Sequence, residues 1–293
     1  MDKTIKANAA PAQTKAVSLR DAIFDEMIPH LTKISGGEQP ISTGFKQLDS
    51  QINGFRPGEL TIVGARPAMG KTSFVLGMAL NVAKSNKRVL FISEDMSNVQ
   101  FCARVISIEG KIEDQKIMRT GQLSAEELNR LPEVSEKISD LPLFFVEDTG
   151  FNRTFSIKKA ADLAREMKAD IVFFDFLPDN ADQLKQMATK LNVPVVVTCQ
   201  LKRSADSRGT RTKSRATDLR APDTVLMDTD NILLLRREDY YENDDELYPF
   251  FDEHVAPAEI IVAKSKYGAV GTVYLFFHRD FIYFFESNES MPW

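Results

Sequence analysis

The stretch GARPAMGKT, Gly64–Thr72, decides how the rest of the chain reads. It matches the P-loop pattern G-x-x-x-x-G-K-[ST], in which successive backbone N–H groups wrap phosphate oxygens. Ala65 fills the first position, with Gly64 just before it. Pro67, Ala68 and Met69 form the intervening turn, and Gly70, Lys71 and Thr72 complete the pattern. Lys71 is expected to reach the β- and γ-phosphates of ATP and Thr72 to hold Mg²⁺ through its hydroxyl. Ser73 opens the helix that follows. The flanks agree: GELTIVG is an apolar run of strand type, and SFVLGMALNVAKS has helical periodicity. A strand, a tight loop and a helix N-terminus form a ready anion site.

Outward from this loop, strand and helix patterns alternate. LTIVG, RVLFIS, LPLFFVE, DIVFFDF and VPVVVTCQ read as strands, separated by helices near Ser73, Asn98, Ser156 and Asp182. This alternation predicts an α/β fold with a mostly parallel central sheet flanked by helices. NILLLR, AEIIVAKS, GTVYLFFH and FIYFFE follow without long helices, which predicts a final strand and C-terminal β-hairpins with a turn near Tyr267-Gly268.

Four divisions are expected: a flexible arm at 1–16, a linker helix and connector at 17–40, the ATPase domain at 41–288 and a tail at 289–293. In the linker, Leu19, Ile23, Met27, Ile28 and Leu31 stand at helical spacing, and Pro29 is expected to kink or interrupt the helix.

Composition narrows the class. The chain has 293 residues, 43% hydrophobic and 27% charged, which suits a globular protein with one good core. No apolar run nears the ~20 residues of a membrane span, and no signal peptide opens the chain. Two cysteines give no disulfide framework, so the expected compartment is the cytoplasm, with no membrane partner. A net charge of −5 argues against a uniformly basic surface, yet leaves room for a local basic channel.

Such a channel has a candidate. Residues 201–220, LKRSADSRGTRTKSRATDLR, carry Lys202, Arg203, Arg208, Arg211, Lys213, Arg215 and Arg220 against only Asp206 and Asp218. The segment follows a strand end on the nucleotide side of the sheet, and its cations are expected to track a nucleic-acid backbone. It holds no aromatic residue for base stacking. Nucleotide chemistry needs further groups. Asp175, after four apolar residues of DIVFFDF, is placed to join Thr72 at the metal. Glu94 and Asp95 end RVLFISED, and one of them is expected to orient the attacking water, since successive strand residues point to opposite faces. Gln200, at the end of VPVVVTCQ, suits a sensor of the γ-phosphate.

These segments, in this order, resemble the C-terminal motor domain of DnaB-type replicative helicases, within the RecA-like P-loop ATPases. TGFKQLDSQINGFRPGELTIVGARPAMGKT, FISEDMSNVQFCARV, IMRTGQLSAEEL, DIVFFDFL, NVPVVVTCQLKR, TDLR, RREDYY and AEIIVAKSKYGAVGTV carry the resemblance over about residues 17–288. It implies a homohexameric ring with ATP and Mg²⁺ between subunits, single-stranded DNA through the centre and 5′–3′ translocation. A replication loader or primase is the implied further partner. The resemblance places the water-orienting base at Asp95, where the family has Glu, and leaves Glu94 as the alternative. It places Arg104 and Arg237 near the nucleotide. It matches Lys264 and Lys266 to a trans-acting pair whose second member is an arginine in the family; lysine keeps the charge but not the planar fork. It likens residues 17–34 to a helix that docks on a neighbouring subunit. On this resemblance the family's primase-binding N-terminal domain is expected to have no counterpart among these residues, and the loop LPDNADQ after Asp175 is shorter and more acidic than the family's. The alternative function is a nucleotide-binding ring with weak or lost motor activity, acting as a regulator or helicase partner; a recombinase or clock-type relative of the same fold is a third.

Overall fold

The central strands are rich in apolar residues, because both of their faces are covered. In the structure, a computed structural model describing residues 16–35, 39–148, 156–202, 214–237 and 254–287, β1 (Leu60–Ala65), β2 (Val89–Ser93) and β4 (Ile171–Phe174) are buried at every position. With β3 (Leu143–Glu147), β5 (Val195–Gln200), β6 (Asn231–Arg236), β7 (Val255–Lys264), β8 (Gly271–His278) and β9 (Tyr283–Phe285) they form one nine-stranded sheet in the order β3-β2-β4-β5-β1-β6-β7-β8-β9. The first six strands in that order are parallel, and β6 to β9 pair antiparallel. This is the α/β architecture that the alternation predicts, with NILLLR as the last parallel strand and the Tyr267-Gly268 turn between β7 and β8.

The pleat sends alternate residues into two cores. Val89, Phe91, Ile171 and Phe173 face one core, under helices Lys46–Ile52, Lys71–Lys84 and Asn98–Gly110. Leu90, Ile92, Val172 and Phe174 face the other, under helices Ile157–Glu166, Leu184–Leu191 and Asp223–Asp228. No helix among the described residues is long and apolar enough to cross a membrane.

The chain divides into two compact units, 1–39 and 40–293. In the first, helical residues run through Leu19–Asp21, Ala22–Met27 and Ile28–Ser35, the middle stretch being π-helical. The interruption expected at Pro29 is therefore absent. Proline has no N–H to give the carbonyl of Asp25, and the backbone widens just ahead of it, where Ile28 N–H bonds Ile23 O. Leu19, Phe24, Met27, Ile28 and Leu31 are exposed on this helix.

The second unit contains helices not anticipated from the pattern. Ala125–Ser139 carries Pro132 and has no fully buried residue, although Leu131, Val134 and Ile138 stand half-buried at helical spacing; its start is marked by the Ser124/Glu127 capping box. Helix Lys46–Ile52 has no capping side chain at Phe45. The Glu286 carboxylate caps it instead, accepting the N–H groups of Lys46 (3.0 Å) and Gln47 (2.7 Å) across the domain. Glu286→Ala should lower stability by about 1–2 kcal/mol. Thermal denaturation should register this as a fall in midpoint of roughly 3–6 °C, with a smaller fall for Glu286→Gln. An unchanged midpoint for the alanine variant would remove the cap from the list of stabilising contacts.

Candidate functional site

At the C-terminal end of β1 the chain turns sharply before helix Lys71–Lys84. Gly70 takes φ +88° as the residue before the helix, a conformation open to glycine at little cost. A Cβ there would also lie 3.1 Å from Phe284 Cζ. Ala68 adopts φ +62° in the same turn. Ala65 and Met69 are buried, Pro67 and Ala68 are exposed, and Ser73 is buried in the first helical turn. The first N–H groups of a helix have no partner within it, so this helix start favours an anion.

Register carries other groups to the same edge. Ala65 pairs with Gln200, so β1 and β5 end level, while Phe174 pairs with Val197, so β4 ends three residues earlier and Asp175 follows it directly. Lys71, Glu94, Asp95, Asp175 and Gln200 line one cleft of about 510 Å³, within the range of ordinary ligand sites. Leu177, Pro178 and Asp179 of the LPDNADQ loop close one side, and Arg220 and Pro222 another. Glu94 and Asp95 both face the cleft. The expectation that strand alternation admits only one of them meets a chain that has already left the strand: β2 ends at Ser93, whose hydroxyl accepts the N–H groups of Asp95 and Met96 at 3.2 Å.

Asp175 is 2% exposed. Its Oδ1 accepts the Thr72 hydroxyl at 3.1 Å and the Thr198 hydroxyl at 3.3 Å, while Oδ2 is buried with no hydrogen-bond partner. Burial pushes this carboxyl up to about 6. Lys71 and the Thr72 hydroxyl pull it down, and the Asp95 charge pushes it further up. A buried carboxylate oxygen without a donor, beside a threonine hydroxyl and a lysine, fits a hard divalent cation with oxygen ligands. Thr198 was not singled out from the sequence; its only signal is one hydroxyl inside the apolar run VPVVVTCQ. Its neighbour Cys199 is buried, which pushes its thiol up to about 11 and keeps it protonated.

Other predicted residues lie apart from this cleft. Arg104 is half-buried on helix Asn98–Gly110. Arg237 is buried at the end of β6 with its guanidinium 3.9 Å from the Phe277 ring centre. Phe277 packs on Phe284 (4.7 Å), the ring that lies against Gly70, so aromatic contacts join Arg237 to the phosphate loop. Lys264 and Lys266 stand at the opposite edge of the sheet. Lys264 pairs with Ile232 near the start of β6, and Thr61 pairs with Asn231, whereas the phosphate loop leaves β1 after Ala65. At ~3.3 Å per residue the two levels are separated by roughly 13–17 Å of strand.

The basic segment is described only at its base. Arg203, Arg208, Arg211 and Lys213 lie outside the described residues. Leu201 bridges Leu219, Lys202 N–H bonds Asp218 O (2.7 Å), and Arg220 N–H bonds Gln200 O (2.7 Å). Exposed Lys202 and Arg215 flank this short ladder. The segment therefore leaves and rejoins the domain beside Gln200.

A glycine-turned phosphate loop, a buried carboxylate two strands away and a lined cleft between them define a P-loop nucleotide-binding domain of the RecA-like α/β class. Comparison with known proteins is more specific. The DnaB-like helicase C terminal domain model matches residues 40–286, and the chain belongs to that family. Replicative DNA helicase DnaB of Geobacillus stearothermophilus is 34% identical over 260 residues, covering 82% of this chain and 55% of the relative. Replicative DNA helicase DnaC of Bacillus subtilis (strain 168) is 32% identical over 302 aligned positions, covering 96% of this chain and 64% of the relative. The chain thus spans little more than half the length of these curated relatives. Among solved structures, the ATPase domain of G40P superposes with TM-score 0.78 at 26% identity, covering 91% of this chain and 99% of that one. A DnaB-like replicative helicase, solved in a study of its interactions with primase, gives the same TM-score and identity over 68% of its length.

The raised Asp175 carboxyl has a consequence for stability. An unfolded aspartate ionises near its ordinary value of 3.8. Between about pH 4 and pH 6 the folded chain keeps a proton that the unfolded chain has lost, so stability falls as pH rises through that window. The full shift is worth up to ~3 kcal/mol above pH 6. Asp175→Asn should therefore raise the melting midpoint of the metal-free, nucleotide-free protein at pH 7.5 and flatten the decline between pH 4 and 6. Thermal melts across that range check it, and a variant less stable than the parent at pH 7.5 would contradict the assignment.

Proposed function

We propose that the chain is an ATP-hydrolysing motor domain that works as a ring of copies, the hexamer implied by the resemblance, and translocates on single-stranded DNA. The observation that carries this reading is the position of Gln200. It lines the cleft with Lys71 and Asp175, and its carbonyl closes the base of the basic segment. A change at the γ-phosphate and a change in DNA grip would pass through one residue, as translocation requires. The relatives found are replicative helicases, which favours a motor over a ring that binds nucleotide without turnover.

In this reading Lys71 and the loop N–H groups hold the phosphates, and Thr72 and Asp175 hold Mg²⁺, which would neutralise phosphate charge. Asp95 orients the attacking water, with Glu94 beside it as the competing base. Lys264 and Lys266 act on a neighbouring copy's nucleotide, since their own phosphate loop lies at the other edge of the sheet. Arg237 and Arg104 support the nucleotide from behind the loop. Lys202, Arg203, Arg208, Arg211, Lys213 and Arg215 contact DNA phosphates. A primase or loader is a further partner of the assembled ring.

ATP turnover with and without oligo-dT tests this. Lys71→Ala should abolish turnover. The triple change Arg208→Ala, Arg211→Ala and Lys213→Ala should remove DNA stimulation and flatten the salt dependence of DNA binding while basal turnover survives. A triple variant stimulated like the parent would return the segment to the status of a solvated connection. Asp95→Asn should lower kcat by about 100-fold or more and Glu94→Gln by less; the reverse order would move the base to Glu94.

A further inference from the structure

Lys266 stands on a turn fixed from several sides. Ala269 N–H bonds Gln51 O (2.8 Å), Gly268 N–H bonds the Ser265 hydroxyl oxygen (3.1 Å), and that hydroxyl donates to Asn231 Oδ1 (3.1 Å). A Cβ on Gly268 would fall 1.9 Å from Gln51 O, so the approach of the two backbones admits only glycine. From this turn the Lys266 ammonium reaches Asp230 Oδ1 at 3.2 Å. Asp230 is 5% exposed, while the Lys266 side chain remains 47% exposed. The other oxygen of Asp230 accepts Lys185 Nζ (2.5 Å) and Leu60 N–H (2.8 Å), and Lys185 also bonds Gly58 O (2.8 Å). The Lys266 ammonium lies 5.1 Å from the Tyr267 ring centre, and the Arg56 guanidinium lies 5.3 Å from the same ring.

We propose that Asp230 is a positioning residue for Lys266: it holds the ammonium at one place on the exposed end of the sheet, ready for the nucleotide of a neighbouring copy. The inference rests on the trans role given to Lys266 above. A lysine is a point charge on a flexible four-carbon stem and lacks the stiffness of a guanidinium. Left alone on a surface it would spend little time at any one position, and a misplacement of ~1 Å can cost ~100-fold in rate. Asp230 supplies the missing rigidity, and it is itself held by two donors from β1 and helix Leu184–Leu191. The pair does not cancel the charge needed for phosphate. Arg56, Lys185 and Lys266 stand against Asp230 and Glu59 at this end, which leaves one net positive charge. Burial would raise the Asp230 carboxyl, yet its hydrogen bonds from Lys185, Leu60 and Lys266 bring it below its ordinary value, so the anion persists at neutral pH. Lys264 is anchored differently, on the carbonyls of Leu226 (3.2 Å) and Met227 (3.0 Å) at the end of helix Asp223–Asp228.

The test uses the full chain and compares Asp230→Asn, Lys266→Ala and the double variant in ATP turnover. Asp230→Asn should lower kcat about tenfold or more with KM for ATP changed less than about twofold. It should cost nothing further in the Lys266→Ala background. Asp230→Asn subunits mixed with Lys71→Ala subunits should regain turnover, because an intact phosphate loop then meets an intact Lys266–Asp230 pair from the other subunit. A residue needed only for folding would not be complemented in this way. Should Asp230→Asn not fold, Asp230→Ser still offers Leu60 N–H an acceptor without the charge and makes the same predictions. Additive losses, or no recovery on mixing, overturn the positioning role. Lys266→Ala at parental turnover overturns the trans reading and the inference together. Lys266→Ala impaired with Asp230→Asn at parental turnover overturns the inference alone.

Discussion

The hydrogen bond between the Thr72 hydroxyl and the Asp175 carboxylate, 3.1 Å long, ties the helix after the phosphate loop to a strand two places away in the sheet. It spans β5 and is possible only because parallel strands bring their C-terminal ends to one edge. The carboxylate it restrains is out of water, with one oxygen satisfied by two hydroxyls and the other without a donor. Such a group costs stability in the empty chain. A fold selected for stability alone would place an amide or an apolar residue there. The surrounding Lys71, Asp95, Glu94 and Gln200 make sense around a charge kept for use.

The sheet works as a spacer between two charged edges. One edge carries the phosphate loop and its carboxylates. The other carries Lys264, Lys266, Lys185 and Asp230, held by β1, β6 and the two short helices Leu184–Leu191 and Asp223–Asp228. Both helices follow segments that line the cleft: Leu177–Asp179 lead into the first, and Pro222 into the second. Movement of the cleft wall therefore has a short path to the lysines, through rigid elements and not through loops.

Much of this was legible in the sequence, for identifiable reasons. The central strands could be placed because burial on both faces leaves IVFF wholly apolar and VLFIS with one polar residue, Ser93, at its last position. Lys71, Thr72, Asp175 and Gln200 could be expected at one cleft because each stands at a strand end or in the loop pattern that follows one. Helix Ala125–Ser139 is harder to read because Pro132 interrupts its pattern and none of its apolar residues is fully buried. The Glu94/Asp95 choice was framed by a strand alternation that stops one residue too early. Asp230 and Lys185 were invisible because their meeting, across 45 residues, depends on the order of strands and not on any local pattern.

The Glu286 carboxylate on helix Lys46–Ile52 sets a timetable for the growing chain. The N–H groups it caps are made 240 and 239 residues before it. At ribosomal speeds of about 5–20 residues per second, that interval is roughly 10–50 s. Through it β1, which lies between β5 and β6, also waits for both of its partners. The apolar strands made first must be kept from pairing with other chains until the last ones emerge. The domain is thus one whose nascent form calls for protection, although its finished form is a single continuous sheet.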